Sequence, residues 1–200
     1  MKKTIWIPVV GGLILGALSY LTTVANLTIQ ITEDLFLGPW EIFNILSAAL
    51  FGPIGLLITE LGLDISGYVY IIKGVFPAPQ GIYYVVANYI AHYVALLPVA
   101  LGYRFIYQRM RMPPLLAGWV LAVGIFYLVG IALLVPLHNI AVPGLGSSYK
   151  DFFNSSVLLE FVLVTIITSL IMLALPGRYR RPQWYESKQA PDRSGEISDE

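Results

Sequence analysis

Apolar and polar positions fall along the chain in long blocks, not in the alternation of a half-buried strand or the stripe of an amphipathic helix. A helix that crosses a bilayer needs about 20 apolar residues, and the first such block runs from Ile5 to about Val24. The next, Ile42 to Ile72, spans 31 residues and carries Gly52-Pro53 inside it. Proline lacks an N–H and its ring clashes with the preceding turn. The block therefore predicts a short helix, Pro39 to Phe51, followed by a second from Pro53 to Ile72. Further spans are predicted over Ile82–Ile106, over Leu115–Leu137 behind Pro113-Pro114, which suits a first helical turn, and over Val157–Leu175, closed by Pro176-Gly177. The intervening segments Ala25–Gly38 and His138–Ser156 read as loops, the second long enough for a functional lid. Residues 178–200 read as a disordered polar tail.

Basic residues test this count independently, because cytoplasmic loops hold the Lys and Arg of membrane proteins. Six spans with both termini inside place Lys2, Lys3, Arg104, Arg109, Arg111, Arg178, Arg180, Arg181, Lys188 and Arg193 on the inner side. Only Lys73 and Lys150 fall outside, a split of ten against two. Treating 42–72 as one crossing would put Arg104–Arg111 and Arg178–Arg181 on opposite sides, so six spans fit better. The start, with Lys2-Lys3, an apolar run and Thr23-Val24-Ala25, also fits a cleaved signal peptide, although the run is long for that role. Asn26 and Asn154 begin glycosylation sequons that we read as chance.

Composition agrees: 57% of residues are hydrophobic and 12% charged, with a mean hydropathy of +0.73. An ordinary soluble domain is about 25% charged, so the soluble and disordered classes are excluded and an all-α, polytopic membrane protein remains. The absence of cysteine removes disulfides and thiolate chemistry. A net charge of zero gives no reason to expect a nucleic-acid partner. No P-loop, His-Glu-x-x-His or Gly-x-Ser-x-Gly motif occurs, so neither nucleotide binding nor an enzyme is indicated. Two histidines without cysteine make a structural zinc site unexpected, and no cofactor is predicted.

Polar groups within a bilayer are costly and are functional candidates by default. Glu60 and Asp64 are four apart and share a helix face. They suit a proton or cation site, a clamp for a cationic ligand, or a pair bonded to neighbouring helices. Tyr84, Asn88 and His92, spaced by four, form a stripe flanked by Tyr89 and Tyr93 that could sandwich a flat ring. The plainer alternative is an interfacial tyrosine belt with an interhelical hydrogen bond. His138 and Asn139 open the loop after the fifth span and could reach the same cavity. Glu160, one turn into the last span, could reach it too, or could simply suit the helix dipole beside capping Asn154, Ser155 and Ser156. Gly12, Gly16 and Ala17 give the first span a small-residue face for close helix approach, either within the chain or to another subunit.

The stretch from Ser47 to Asp64, Ser-Ala-Ala-Leu-Phe-Gly-Pro-Ile-Gly-Leu-Leu-Ile-Thr-Glu-Leu-Gly-Leu-Asp, resembles the corner between the second and third helices of the substrate-binding (S) components of energy-coupling factor vitamin transporters. The length and the six predicted helices with inside termini are similar as well. The resemblance implies a prokaryotic plasma-membrane protein that binds a vitamin or related metabolite in a cavity open to the outside. Loops after the first, third and fifth helices would close over the cavity, and the last three helices would line it. A separate membrane coupling protein and two ATPase subunits would be the partners, with Gly12, Gly16 and Ala17 facing the coupling protein. By location, Tyr84, Asn88, Tyr89, His92, His138, Asn139 and Glu160 would contact the ligand. Glu60 departs from the pattern, because small apolar residues are usual there.

Three function classes follow. The first is the solute-binding subunit of an ATP-driven importer, with a flat, cationic heteroaromatic ligand as the expectation. The second is a non-catalytic accessory subunit of a larger membrane complex. The third is a proton- or cation-coupled carrier using Glu60 and Asp64. Internal inverted repeats would favour the carrier, and none is visible in the sequence.

Overall fold

A computed structural model describes residues 5–27, 29–32, 35–74, 80–107, 112–141, 146, 148–153 and 155–184. The architecture is the expected all-helical, polytopic bundle. Its elements are α1 (Trp6–Val24), α2 (Pro39–Ile72), α3 (Gln80–Tyr107), α4 (Met112–Ala141), α5 (Tyr149–Phe152), α6 (Ser155–Ala174) and α7 (Gly177–Arg180), plus a short hairpin of β1 (Ile29–Thr32) and β2 (Leu35–Leu37). Five helices are long and apolar enough to cross a membrane. Their outer faces carry exposed leucine and isoleucine, such as Leu13 at 57% and Leu121 at 65% exposure. In water that surface would be unfavourable, whereas against lipid tails it costs nothing.

The predicted break in α2 is real. Gly52 sits at φ 67°, ψ −160°, ahead of Pro53, and divides the helix into arms 39–51 and 53–72. The Thr59 hydroxyl donates to Ser47 Oγ at 2.8 Å. Twelve residues of straight helix would hold those groups about 18 Å apart, so the second arm folds back against the first. The first arm, 13 residues long, is about 20 Å in length. It falls short of the roughly 30 Å hydrocarbon core, so its N-terminal turn lies within the bundle.

α1 packs on the second arm through glycine. A Cβ at Gly12 would stand 2.7 Å from the Gly55 carbonyl oxygen and one at Gly16 would stand 2.9 Å from that of Ile58, while one at Gly62 would collide with the backbone of Gly16. The small-residue face expected to receive a coupling protein is thus spent inside the chain at Gly12 and Gly16, both buried. Ala17 alone of the three is exposed. Close backbone approach needs the missing Cβ on both sides, and α2 supplies the matching glycines.

The core lies where α2, α3, α4 and α6 meet. Ile45, Leu56, Leu96, Val123 and Val164 are fully buried. Tyr103 meets Trp119 edge-on at 5.7 Å between ring centroids. The Trp119 Nε1–H donates to Thr168 Oγ1 at 2.9 Å, satisfying the indole between α4 and α6.

Three segments differ from the sequence expectation. Ala25–Gly38 holds the hairpin, with Ile29 opposite Leu37 and Gln30 opposite Phe36, because the run Ile-Gln-Ile-Thr alternates with β-branched residues. α4 continues past Pro136 to Ala141, so His138 and Asn139 are helical and do not open a loop. Proline removes only one ladder bond, and a membrane helix tolerates that loss. The start of the tail is folded: the Gln183 N–H donates to Leu50 O at 2.7 Å, Tyr103 Oη donates to Arg180 O at 2.8 Å, and Arg180 returns to the carbonyls of Leu173 and Leu175 at 2.7 and 2.5 Å. Those carbonyls end α6 and need donors, which the arginine supplies. Residues 185–200 lie outside the described residues.

Candidate functional site

Four helical segments converge on one cavity of about 240 Å³. The first arm of α2 supplies Glu41 and α3 supplies His92. α4 supplies Phe126, Tyr127, Gly130, Ile131 and Leu134, and α6 supplies Val157 and Glu160. Glu41 reaches it because the short arm begins inside the bundle. Gly38 and Pro39 start that arm, with Pro in the first turn and no side-chain cap. Pro is pre-organised for that position, and an acid in the first turn complements the helix dipole.

The polar groups engage one another. Tyr127 Oη donates to Glu41 Oε2 at 2.5 Å. Glu160 lines the same space as Glu41. The Tyr127 ring is held edge-on by Phe126 at 5.2 Å and Phe161 at 5.5 Å. His92 stands 6.1 Å from Phe126 and is tilted by 60°. The cavity therefore has an acidic and phenolic floor between aromatic walls.

Glu60 lies behind His92. Its side chain is fully buried, and its Oε2 is 3.8 Å from His92 Nδ1, beyond hydrogen-bond range. Among the described residues neither Glu60 oxygen has a hydrogen-bond partner. Asp64, one turn on, is only partly buried and does not line the cavity. Glu60 and Asp64 share a face as predicted, and His92 separates that face from the cavity.

The predicted stripe on α3 divides. His92 lines the cavity. Asn88 instead accepts a hydrogen bond from His138 Nε2 at 3.0 Å, which ties α3 to α4. His138 is 4% exposed, so its imidazole belongs to this interhelical seam. Tyr89 and Tyr93 stack on each other, 6.1 Å between centroids and 6° between planes, outside the lining. Asn139 is exposed. The Tyr84 side chain lies outside the described residues, as does Asn154. Glu160 is not in the first turn of α6. It lines the cavity with Glu41, so the helix-dipole alternative does not describe it.

Sequence reasoning missed Glu41 and Tyr127. Glu41 could have been found from the shortness of the 39–51 helix, which leaves its first turn inside the bundle. Tyr127 is the one hydroxyl between Gly118 and Leu137 of an otherwise apolar run. Among the described residues, no three His, Asp or Glu side chains are set to hold a metal ion. The arrangement can accept hydrogen bonds, hold a cation and sandwich a small ring. Compared with known proteins, the chain matches no family model, no curated protein and no solved structure.

Proposed function

We propose that the chain is the solute-binding membrane subunit of an ATP-driven importer of the energy-coupling factor type, taking a vitamin or related small metabolite across a prokaryotic plasma membrane. The observation that carries the reading is the cavity itself. Four polar groups remote in sequence, Glu41, His92, Tyr127 and Glu160, meet at one buried space between aromatic walls. Ligand sites have that character: concave, mostly apolar, with a few convergent polar groups. The volume of about 240 Å³ is below the roughly 300 Å³ at which drug-sized pockets begin, so the solute is small. Energy comes from partners, because the chain has no phosphate-binding loop of its own. The exposed face of α1, with Ala17 beside Leu13, Ile14 and Leu18, is the surface offered to a coupling protein.

The test is affinity capture of the tagged protein from its host in gentle detergent, read by mass spectrometry. A membrane coupling protein recovered with two ATPases supports the importer subunit. Capture of the chain alone contradicts it.

A second reading has its own observation. Glu60, buried with no hydrogen-bond partner among the described residues and with His92 beyond it, suits a proton- or cation-coupled carrier. That reading predicts that Glu60→Gln abolishes uptake into proteoliposomes driven by an ion gradient. Uptake that needs ATP and survives Glu60→Gln supports the importer subunit.

A further inference from the structure

The acidic cavity has a neighbour on the side of α4 and α6. A second, apolar space of about 480 Å³ lies between these two helices. The two spaces share Tyr127, Ile131 and Val157 as a common wall. The apolar one continues past Gly124 and Leu128 of α4 and Phe161 of α6. Gly124 keeps it open, because a Cβ there would meet nothing nearer than Phe161 at 3.9 Å. Leu128, 59% exposed, forms its lip. The carboxyl-lined space and the hydrocarbon-lined trough thus adjoin along Tyr127, Ile131 and Val157.

Charge selects the occupant. Glu41 and Glu160 both line the acidic space, so two carboxyl groups face a bound solute. A cation can pair there with an ionised carboxylate, whereas an anion would be buried without a counter-charge. Among the described residues no Lys or Arg lines either space. The Tyr127 and Phe126 rings add faces that favour a cation.

We propose that the solute is a soluble amine with an apolar arm, its ammonium between Glu41 and Glu160 and its arm in the groove between α4 and α6. This rests on reading the cavity as a solute site and adds to it the chemical class of the solute. Burying each methylene of the arm should tighten binding about fourfold, until the groove is filled.

The test is calorimetric titration of the purified full-length protein in nanodiscs with propylamine, butylamine, pentylamine and hexylamine, and with hexanoate as the anionic control. The expected result is binding that tightens about fourfold per methylene, with no binding of hexanoate. Gly124→Leu fills the groove and is expected to remove the chain-length gain while leaving propylamine affinity unchanged. Leu128→Trp, at the exposed lip, gives the same readout should the glycine variant fail to fold. Glu41→Gln is expected to weaken every amine by more than tenfold and leave the chain-length gain intact. Amine binding with a chain-length gain that persists in both groove variants overturns the groove assignment but leaves the cavity as a cation site. Absence of binding by every amine overturns the proposal at its charged end. Hexylamine displaced by phosphatidylethanolamine in the nanodisc overturns the assignment to a soluble solute.

Discussion

Glu60 has both carboxyl oxygens buried without a hydrogen-bond partner among the described residues, and such a group costs about 1–3 kcal/mol. A residue held at that cost is a candidate for function, not for stability. Replacing it with an apolar side chain of similar size removes the cost. Glu60→Leu is therefore expected to stabilise the protein by about 1–3 kcal/mol, read as a higher Tm in detergent. A lower Tm would show that Glu60 has a stabilising partner. The same residue scale explains what the sequence hid. His92 and Glu160 were legible because each interrupts an apolar run. Glu41 was not, because an acid in a helix's first turn reads as a dipole partner. Its role comes from the depth at which that turn begins, and depth is set by the fold at Gly52. Asn88 was legible as polar but not in its use, since its partner His138 lies 50 positions away on a helix that runs past its proline.

Helices were the most legible level, because apolar block length and proline position determine where a span starts and stops. The bend at Gly52-Pro53 was predicted from those two residues alone, whereas the fold-back it produces required the contact between Thr59 and Ser47. The small-residue face of α1 was visible, but its partner was not: only the structure pairs Gly12 and Gly16 with Gly55, Ile58 and Gly62. That seam makes a sharp comparison. Gly62→Ala forces a methyl into the backbone of Gly16 and is expected to cost about 1–3 kcal/mol. Gly102→Ala, also helical and with nothing within 4 Å of its Cβ, is expected to stabilise by about 0.5–1 kcal/mol through helix propensity. Thermal melts of the two variants check this, and equal losses would mean that α1 does not seat against the second arm.

Across the whole molecule, charge and structure divide the bundle into two ends. Arg104, Arg178, Arg180 and Arg181 gather at the end where α2 bends and α6 finishes, while Lys73 and Lys150 lie at the other. By the positive-inside rule the arginine end is expected to be cytoplasmic. The folded segment from Gly177 to Trp184 covers the bend there, with the Trp184 indole against Gly52. The absence of native cysteine makes labelling clean. In intact cells, Lys150→Cys is expected to react with an impermeant maleimide, and Arg178→Cys only after permeabilisation. The reverse pattern would invert the topology.

The most direct test is native mass spectrometry of the protein purified from its host in nanodiscs. Wild-type protein is expected to carry a small organic cation at one equivalent, and the Glu41→Gln, Glu160→Gln double variant is expected to emerge folded and without it. A wild-type chain that carries no solute, or a double variant that keeps it, would contradict the assignment of this cavity as the binding site.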